Sequence, residues 1–258
     1  MKRPCAPPLW RAALLLVLLL PTVPSFGAHP LITEDTGTQG RGNWQLELTA
    51  EFGHEEDAGA EGNTGDFAAV LAYGLRDNLD LMLTLPYAHM KSETDGAATT
   101  ASGLGDIGLE AKWRFIEEGG LSMALKAGVI FPSGDESDDL GAGKSNFSVN
   151  LMTSYETGPW GYHLHLAYFG NRNVHDERDG IRHASVALTY LVLENLRLVA
   201  DAGAYTTADP AYSGDTRFLT LGGIYGVNDD FDIDFGLRHG LSEPETDTTL
   251  LLGIALRY

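Results

Sequence analysis

Three groups of residues in this chain have the types and spacing to do chemistry. His183-Ala184-Ser185 sets an imidazole and a hydroxyl two positions apart, so on a strand both share a face, as a base and the nucleophile it activates must. His163 and His165 repeat that spacing, and two imidazoles on one face are half of a metal site. Asp106, Glu110, Lys112 and Arg114, together with Glu47 and with Asp232, Asp234 and Arg238, put carboxylates and cations at even spacing. Such rows either pair with one another or line a charged passage. The first two groups are incomplete. No asparagine stands at a matching place to orient His183, and nucleophilic catalysis needs that third group. No third ligand is fixed near His163 and His165, and no carboxylate pair suited to an aspartyl-type protease is identifiable, so neither a catalytic residue nor a metal site is assigned.

The elements that must position these groups are strands. Leu79, Leu81, Leu83, Leu85 and Tyr87 alternate with Asp80, Met82, Thr84, Pro86 and Ala88. The same period sets Trp44, Leu46, Leu48 and Phe52 against Gln45, Glu47, Thr49 and Glu51. It sets Tyr162, Leu164, Leu166 and Tyr168 against His163 and His165, and Phe231, Ile233, Phe235 and Leu237 against Asp232, Asp234 and Arg238. A period of two with one apolar face is a strand signature. Twelve strands are expected, over 43–54, 65–75, 78–91, 103–117, 120–131, 145–157, 160–173, 182–192, 195–206, 215–226, 229–240 and 247–258.

The connections alternate. Tight turns at 76–78, 117–120, 157–160, 193–195 and 227–230 carry Asp-Asn, Gly-Gly, Gly-Pro and Asn-Asp-Asp. Longer loops at 55–64, 92–102, 132–144, 174–181, 207–214 and 241–246 are rich in Gly, Ser, Thr, Asp and Glu. All the short turns therefore share one rim. A soluble sandwich would hide its apolar faces in a shared core and keep a polar outer face on every strand. Here several opposite faces are small, as at Ala68, Ala72 and Gly74. The pattern fits an all-β fold, a transmembrane antiparallel up-and-down β-barrel of about twelve strands, apolar side outward and polar side inward. Arg or Lys facing lipid near the midplane would cost roughly 2–4 kcal/mol. That cost assigns Glu47, Asp106, Glu110, Lys112, Arg114, His163, His165, Asp232, Asp234 and Arg238 to the lumen wall. Two readings stay open there: the charges pair and fill the interior, or they select permeants.

The chain begins Met-Lys-Arg, continues through the apolar run 12–20 and reaches small residues at Ser25, Gly27 and Ala28. This is the pattern of a cleavable secretory signal over 1–28. A periplasmic segment, 29–42, then precedes the barrel, 43–258. That segment is long enough to enter the lumen from below. The sole cysteine, Cys5, lies in the leader, so the mature chain has no thiol chemistry. Losing Lys2, Arg3 and Arg11 takes the net charge from −19 to −22, which argues against nucleic acid as a partner. Much of the acid lies in the long loops: solvated surface, or a vestibule that attracts cations. Asp135-Glu136-Ser137-Asp138-Asp139 lacks the spacing of a calcium loop.

The last residues resemble the carboxy-terminal signal read by barrel-assembly machinery: Gly253, then Leu256, then Tyr258 as the final aromatic. Leu251 departs from that pattern, which has a polar residue there. His183-Ala184-Ser185 is similar to the His-x-Ser pair of outer-membrane phospholipase, but Val186, Leu188 and Tyr190 take the lipid face here and leave the pair inward. The run 29–40, leading into Gly42-Asn43-Trp44-Gln45-Leu46-Glu47, resembles the opening of the MetA-pathway of phenol degradation outer-membrane barrels. Gly103-Leu104-Gly105-Asp106-Ile107-Gly108-Leu109 and Phe131-Pro132-Ser133-Gly134-Asp135 match that family in order. The resemblance implies a transporter-like barrel of the Gram-negative outer membrane that passes small compounds, aromatic or apolar ones included, by diffusion. It implies no catalytic residues and no cofactor. The expected partners are outer-membrane lipid, the assembly machinery and a small-molecule permeant. A closed structural barrel is the alternative, and a lipid-hydrolysing barrel a further one.

Overall fold

The computed structural model describes residues 29–57, 60–94 and 97–258; the expected leader, 1–28, lies outside the described residues. Thirteen strands form one antiparallel sheet: β1 (Trp44–Asp57), β2 (Ala60–Arg76), β3 (Leu79–Thr94), β4 (Ala97–Leu104), β5 (Ile107–Glu118), β6 (Leu121–Phe131), β7 (Asn146–Thr157), β8 (Trp160–Gly170), β9 (Gly180–Leu193), β10 (Leu196–Thr206), β11 (Asp215–Asn228), β12 (Phe231–Gly240) and β13 (Thr248–Arg257). Each strand pairs with its neighbour in sequence, except that β4 and β5 both pair with β3. The sheet closes where β1 meets β13, with Leu48 opposite Ile254 and Thr49 opposite Gly253. The result is a closed barrel of twelve strand positions. Closure leaves no unpaired backbone along that seam, as hydrocarbon requires. Among the described residues no helix is long and apolar enough to cross a membrane.

The faces sort as the period of two demands. Leu221, Leu237 and Trp113 on the outer wall are 58%, 53% and 50% exposed, whereas Lys126 on the inner wall is 1% exposed. Aromatic rings gather at both ends of the apolar band. Trp44 contacts Tyr73 and Trp160 contacts Tyr190 near the short turns, each pair at 4.4 Å between ring centroids. Phe147 and Tyr168, at 5.9 Å, and Phe67 and Tyr87, at 6.2 Å, lie toward the long loops. Two aromatic girdles around an apolar belt mark the two interfaces of a bilayer.

The structure corrects several expected boundaries. The connections expected as long loops over 55–64 and 92–102 are mostly strand: β1 and β2 pair from Trp44–Tyr73 out to Asp57–Ala60, and β2 and β3 out to Ala60–Thr94. Polarity marked these stretches as loop, but a hairpin outside the membrane keeps its ladder with both faces in water. The expected strand 160–173 ends at Gly170, and the next begins at Gly180. The expected strand 103–117 is two pieces. β4 and β5 both pair with β3, Tyr87 lying opposite Leu104 and Thr84 opposite Gly108, with Gly105 and Asp106 in the break. That break bulges the wall, and the loop after β6 fills it: the Ser133 hydroxyl donates to Gly105 O at 3.0 Å and accepts from Ile107 N–H at 2.9 Å.

Candidate functional site

Among the described residues buried charge gathers in the lumen, and the segment before β1 occupies it. From β1 the segment 29–42 runs back along the short-turn rim and into the barrel. Gly42 N–H donates to Gly74 O at 2.7 Å, and the Thr38 hydroxyl donates to Asp77 O at 2.9 Å. Gln39 N–H then reaches both oxygens of Asp80, at 3.2 and 3.0 Å. Higher up, Thr36 meets Ser122 and Ser154 on β6 and β7. Asp35 lies 3.4 Å from the Lys112 ammonium, and Glu34 pairs with Lys126. Opposite, Ile32 and Thr33 N–H groups donate to Asp201 Oδ2 at 2.6 and 2.8 Å. The Thr33 hydroxyl sits 2.6 Å from Asp201 Oδ1 and 2.7 Å from Ser185 Oγ. His29 pairs with Asp234.

This is a polar attachment with one small apolar anchor, Leu31, packed against Ala187 and Val199. A segment without regular structure has backbone donors to satisfy. Asp80 and Asp201 supply acceptors for them from the wall, in charge-assisted bonds. The wall is also cut away to fit. A Cβ on Gly222 or Gly236 would lie 2.8 Å from Pro30, and one on Gly253 would lie 2.6 Å from the His29 ring. Three neighbouring strands thus carry glycine where the segment approaches.

The expected lumen residues all find partners. Glu110 takes a hydrogen bond from Ser148 at 2.5 Å and lies 3.3 Å from Lys126. Lys126 therefore sits between Glu34 and Glu110, two carboxylates against one ammonium. His163 lies 2.9 Å from Ser154 Oγ, and His165 lies 3.1 Å from Asn150 Oδ1. The two histidines share the inner face but bind hydroxyl and amide groups, and among the described residues no group of His, Cys, Asp and Glu is arranged to hold a metal. Glu47 takes a hydrogen bond from Gln45 at 2.6 Å, Arg114 pairs with Glu117 at 3.1 Å, and Asp232 pairs with Arg257 at 2.6 Å. Arg238 joins Glu51 at 2.7 Å and Glu245 at 3.5 Å, which draws the loop after β12 inward above the N-terminal segment. Tyr205 OH donates to Glu245 at 2.6 Å.

Asp106 stands apart from that wall. In the break between β4 and β5 its carboxylate accepts from Gly134 N–H and Ala142 N–H, both at 2.9 Å, and so pins the loop 132–144. His183 Nε2 and Ser185 Oγ lie 2.8 Å apart, buried and inward, with Ser185 also on Thr33. No lipid on the outer wall reaches them. Sequence reading missed Lys126, Asp201 and the segment's own Thr33, Glu34 and Asp35. A charged residue amid Ala124 and Gly128 was the available signal for Lys126, since only the inner face tolerates it there. In the assembly signal, Leu251 is buried and Gly253 stands against His29 and Asp234; the strand end serves the lumen as well as the lipid face.

Comparison with known proteins agrees with this architecture. The sequence profile of the MetA-pathway of phenol degradation family matches residues 30–258. An outer-membrane channel from Pseudomonas putida F1 superposes with a TM-score of 0.67 at 17% identity, over 87% of this chain and 98% of that one. The translocator domain of the autotransporter NalP from Neisseria meningitidis gives 0.54 at 14% identity, over 86% and 91%. The KdgM porin gives 0.56 at 8% identity, over 82% and 98%. These likenesses show the fold of outer-membrane barrels. Among curated proteins no sequence matches the chain.

Proposed function

The chain belongs to the MetA-pathway of phenol degradation family, and from that premise we propose that it is an outer-membrane diffusion channel for small compounds, with its own N-terminal segment as the gate. The observation that carries this reading is the character of the seal. Backbone N–H groups of 32, 33 and 39 rest on Asp201 and Asp80, and Glu34 rests on Lys126, so polar bonds hold most of the segment in the barrel. Bonds to charged groups such as these are exchanged for bonds to water on release, so each contributes about 1.5–3 kcal/mol net.

The short-turn rim faces the periplasm in this reading and the long loops face outward, with residues 1–28 removed as a leader. The permeants are small, with aromatic compounds included on the strength of the family's description. Lumen histidines and carboxylates act in fit and attachment, so no catalysis is assigned to them. A permanently closed barrel is the second reading, favoured by the burial of the Lys126 ion pairs. Uptake into proteoliposomes distinguishes the two. The purified mature barrel should admit benzyltrimethylammonium, a small aromatic whose fixed charge keeps it from crossing lipid readily, and exclude a large oligosaccharide. Equal entry of that cation into protein-free and protein-bearing vesicles, with the segment deleted as well as present, would leave only the closed barrel.

A further inference from the structure

The outer wall carries a feature that passage through the lumen does not use. Arg182 on β9 and Arg217 on β11 stand at even spacing from Val186 and Leu188 and from Leu219 and Leu221, so they share the outer face and their side chains leave the barrel on the lipid side. Both are exposed. Arg182 stands opposite Tyr168, a residue of the long-loop girdle, and so lies at interface depth. Arg217 stands opposite Ala204, which stands opposite Ala184. The two arginines are thus two strands apart and offset by two residues, roughly 12 Å between their Cα positions. Between them on β10 the outer face holds only Ala204 and Thr206, so nothing tall separates the two guanidinium groups.

Their partners are missing in a chain with carboxylates to spare, 36 acidic against 17 basic residues. Arg114, Arg238, Arg257, Lys112 and Lys126 are all paired with carboxylates. Arg178, close by in the loop before β9, is held by the carbonyls of Asp209, Pro210 and Tyr212. Among the described residues neither Arg182 nor Arg217 forms an ion pair. Two unpaired guanidinium groups above an apolar wall, at girdle depth, present a fork suited to phosphate oxygens.

We infer that Arg182 and Arg217 form a docking surface for the phosphate-bearing headgroup of an outer-leaflet glycolipid, whose acyl chains lie along Val186, Leu188, Leu219 and Leu221. The surface holds lipid beside the barrel and plays no part in the lumen.

The test uses the full mature protein in detergent, where orientation and channel activity have no bearing. Bis-phosphorylated lipid A is titrated and bound lipid is counted by native mass spectrometry, for the wild type and for Arg182→Gln with Arg217→Gln. Each arginine near an anionic surface contributes about 1 kcal/mol, so the double variant should bind about thirtyfold more weakly. Wild-type protein should lose the same affinity toward lipid A stripped of its phosphates. Unchanged binding by the double variant, or undiminished binding of the stripped lipid, would overturn the assignment. Unaltered heat-modifiability on gels establishes that the variant barrel is folded, and Arg182→Lys with Arg217→Lys should restore part of the binding.

Discussion

Lys126 of the barrel wall and Glu34 of the N-terminal segment form a buried ion pair in the lumen, with the Glu110 carboxylate 3.3 Å from the same ammonium. The pair joins residues far apart in the chain and fixes where the segment stops. Removing one partner leaves the other buried without compensation, which typically costs 3–5 kcal/mol. Lys126→Met should therefore loosen the segment and raise open-channel conductance in planar bilayers. Adding Glu34→Gln removes one of the two stranded carboxylates, leaving Glu110 on Ser148, and should bring back part of the closed behaviour. Identical traces for wild type and Lys126→Met would show that the pair does not hold the gate.

The glycine hollow around Pro30 is a steric test of the same attachment. A Cβ on Gly236 would meet Pro30 at 2.8 Å and Leu251 at 3.3 Å. Gly236→Val overfills the hollow, at a cost of about 1–3 kcal/mol, and should push the segment out without touching any charge. The expected readout is a newly protease-sensitive site near residue 30 in folded, detergent-purified protein. A segment as resistant as in the wild type would contradict the fit.

Asp106 controls the wall at its break. Its two bonds to Gly134 and Ala142 amides hold the loop 132–144. Asp106→Ala strands both donors, a loss of roughly 1–3 kcal/mol for each that stays buried. Amide hydrogen exchange in 132–144 should quicken while β6 and β7 keep their protection. Exchange unchanged in that loop would remove Asp106 as its anchor.

How much of this was legible beforehand follows from what a strand period can and cannot encode. Alternation placed Glu110, Lys112, His163, His165, Asp234 and Arg238 inward, because lipid excludes charge from the other face. The tight turns at 117–120, 157–160 and 193–195 were readable from their Gly, Pro and Asn. The hairpin arms beyond the membrane were not, since residues 55–64 and 92–102 are polar on both faces and carry no apolar marker. The break at Gly105 and Asp106 was hidden for a different reason: the apolar period runs on through Leu104, Ile107 and Leu109 with one extra residue inserted. The segment's path was half visible. Pro30 and the glycines disfavoured a regular element, but Thr33 and Glu34 reveal their roles only once Asp201 and Lys126 stand across the lumen.

A pH response is expected on the outer loops. Burial pushes the Glu177 carboxyl above the ordinary carboxylate range, against the Asn171 amide bond that draws it down. A carboxyl raised in the folded loop is held better protonated, so the loop 171–179 is steadier at lower pH and loosens as pH rises through the folded value. Protease resistance of that loop should fall as pH rises above the ordinary carboxylate range, and Glu177→Gln should abolish the trend. A trend that persists in the variant would assign it to another group.

The most direct measurement is single-channel conductance of the mature barrel with and without residues 29–40. The segment runs through the lumen from Gln39 on Asp80 up to Thr33 on Asp201, so the intact protein should show small, flickering openings and the deletion a large, steady one. Equal conductance from both would mean that the segment does not gate the passage, and the account of the lumen given above would be wrong.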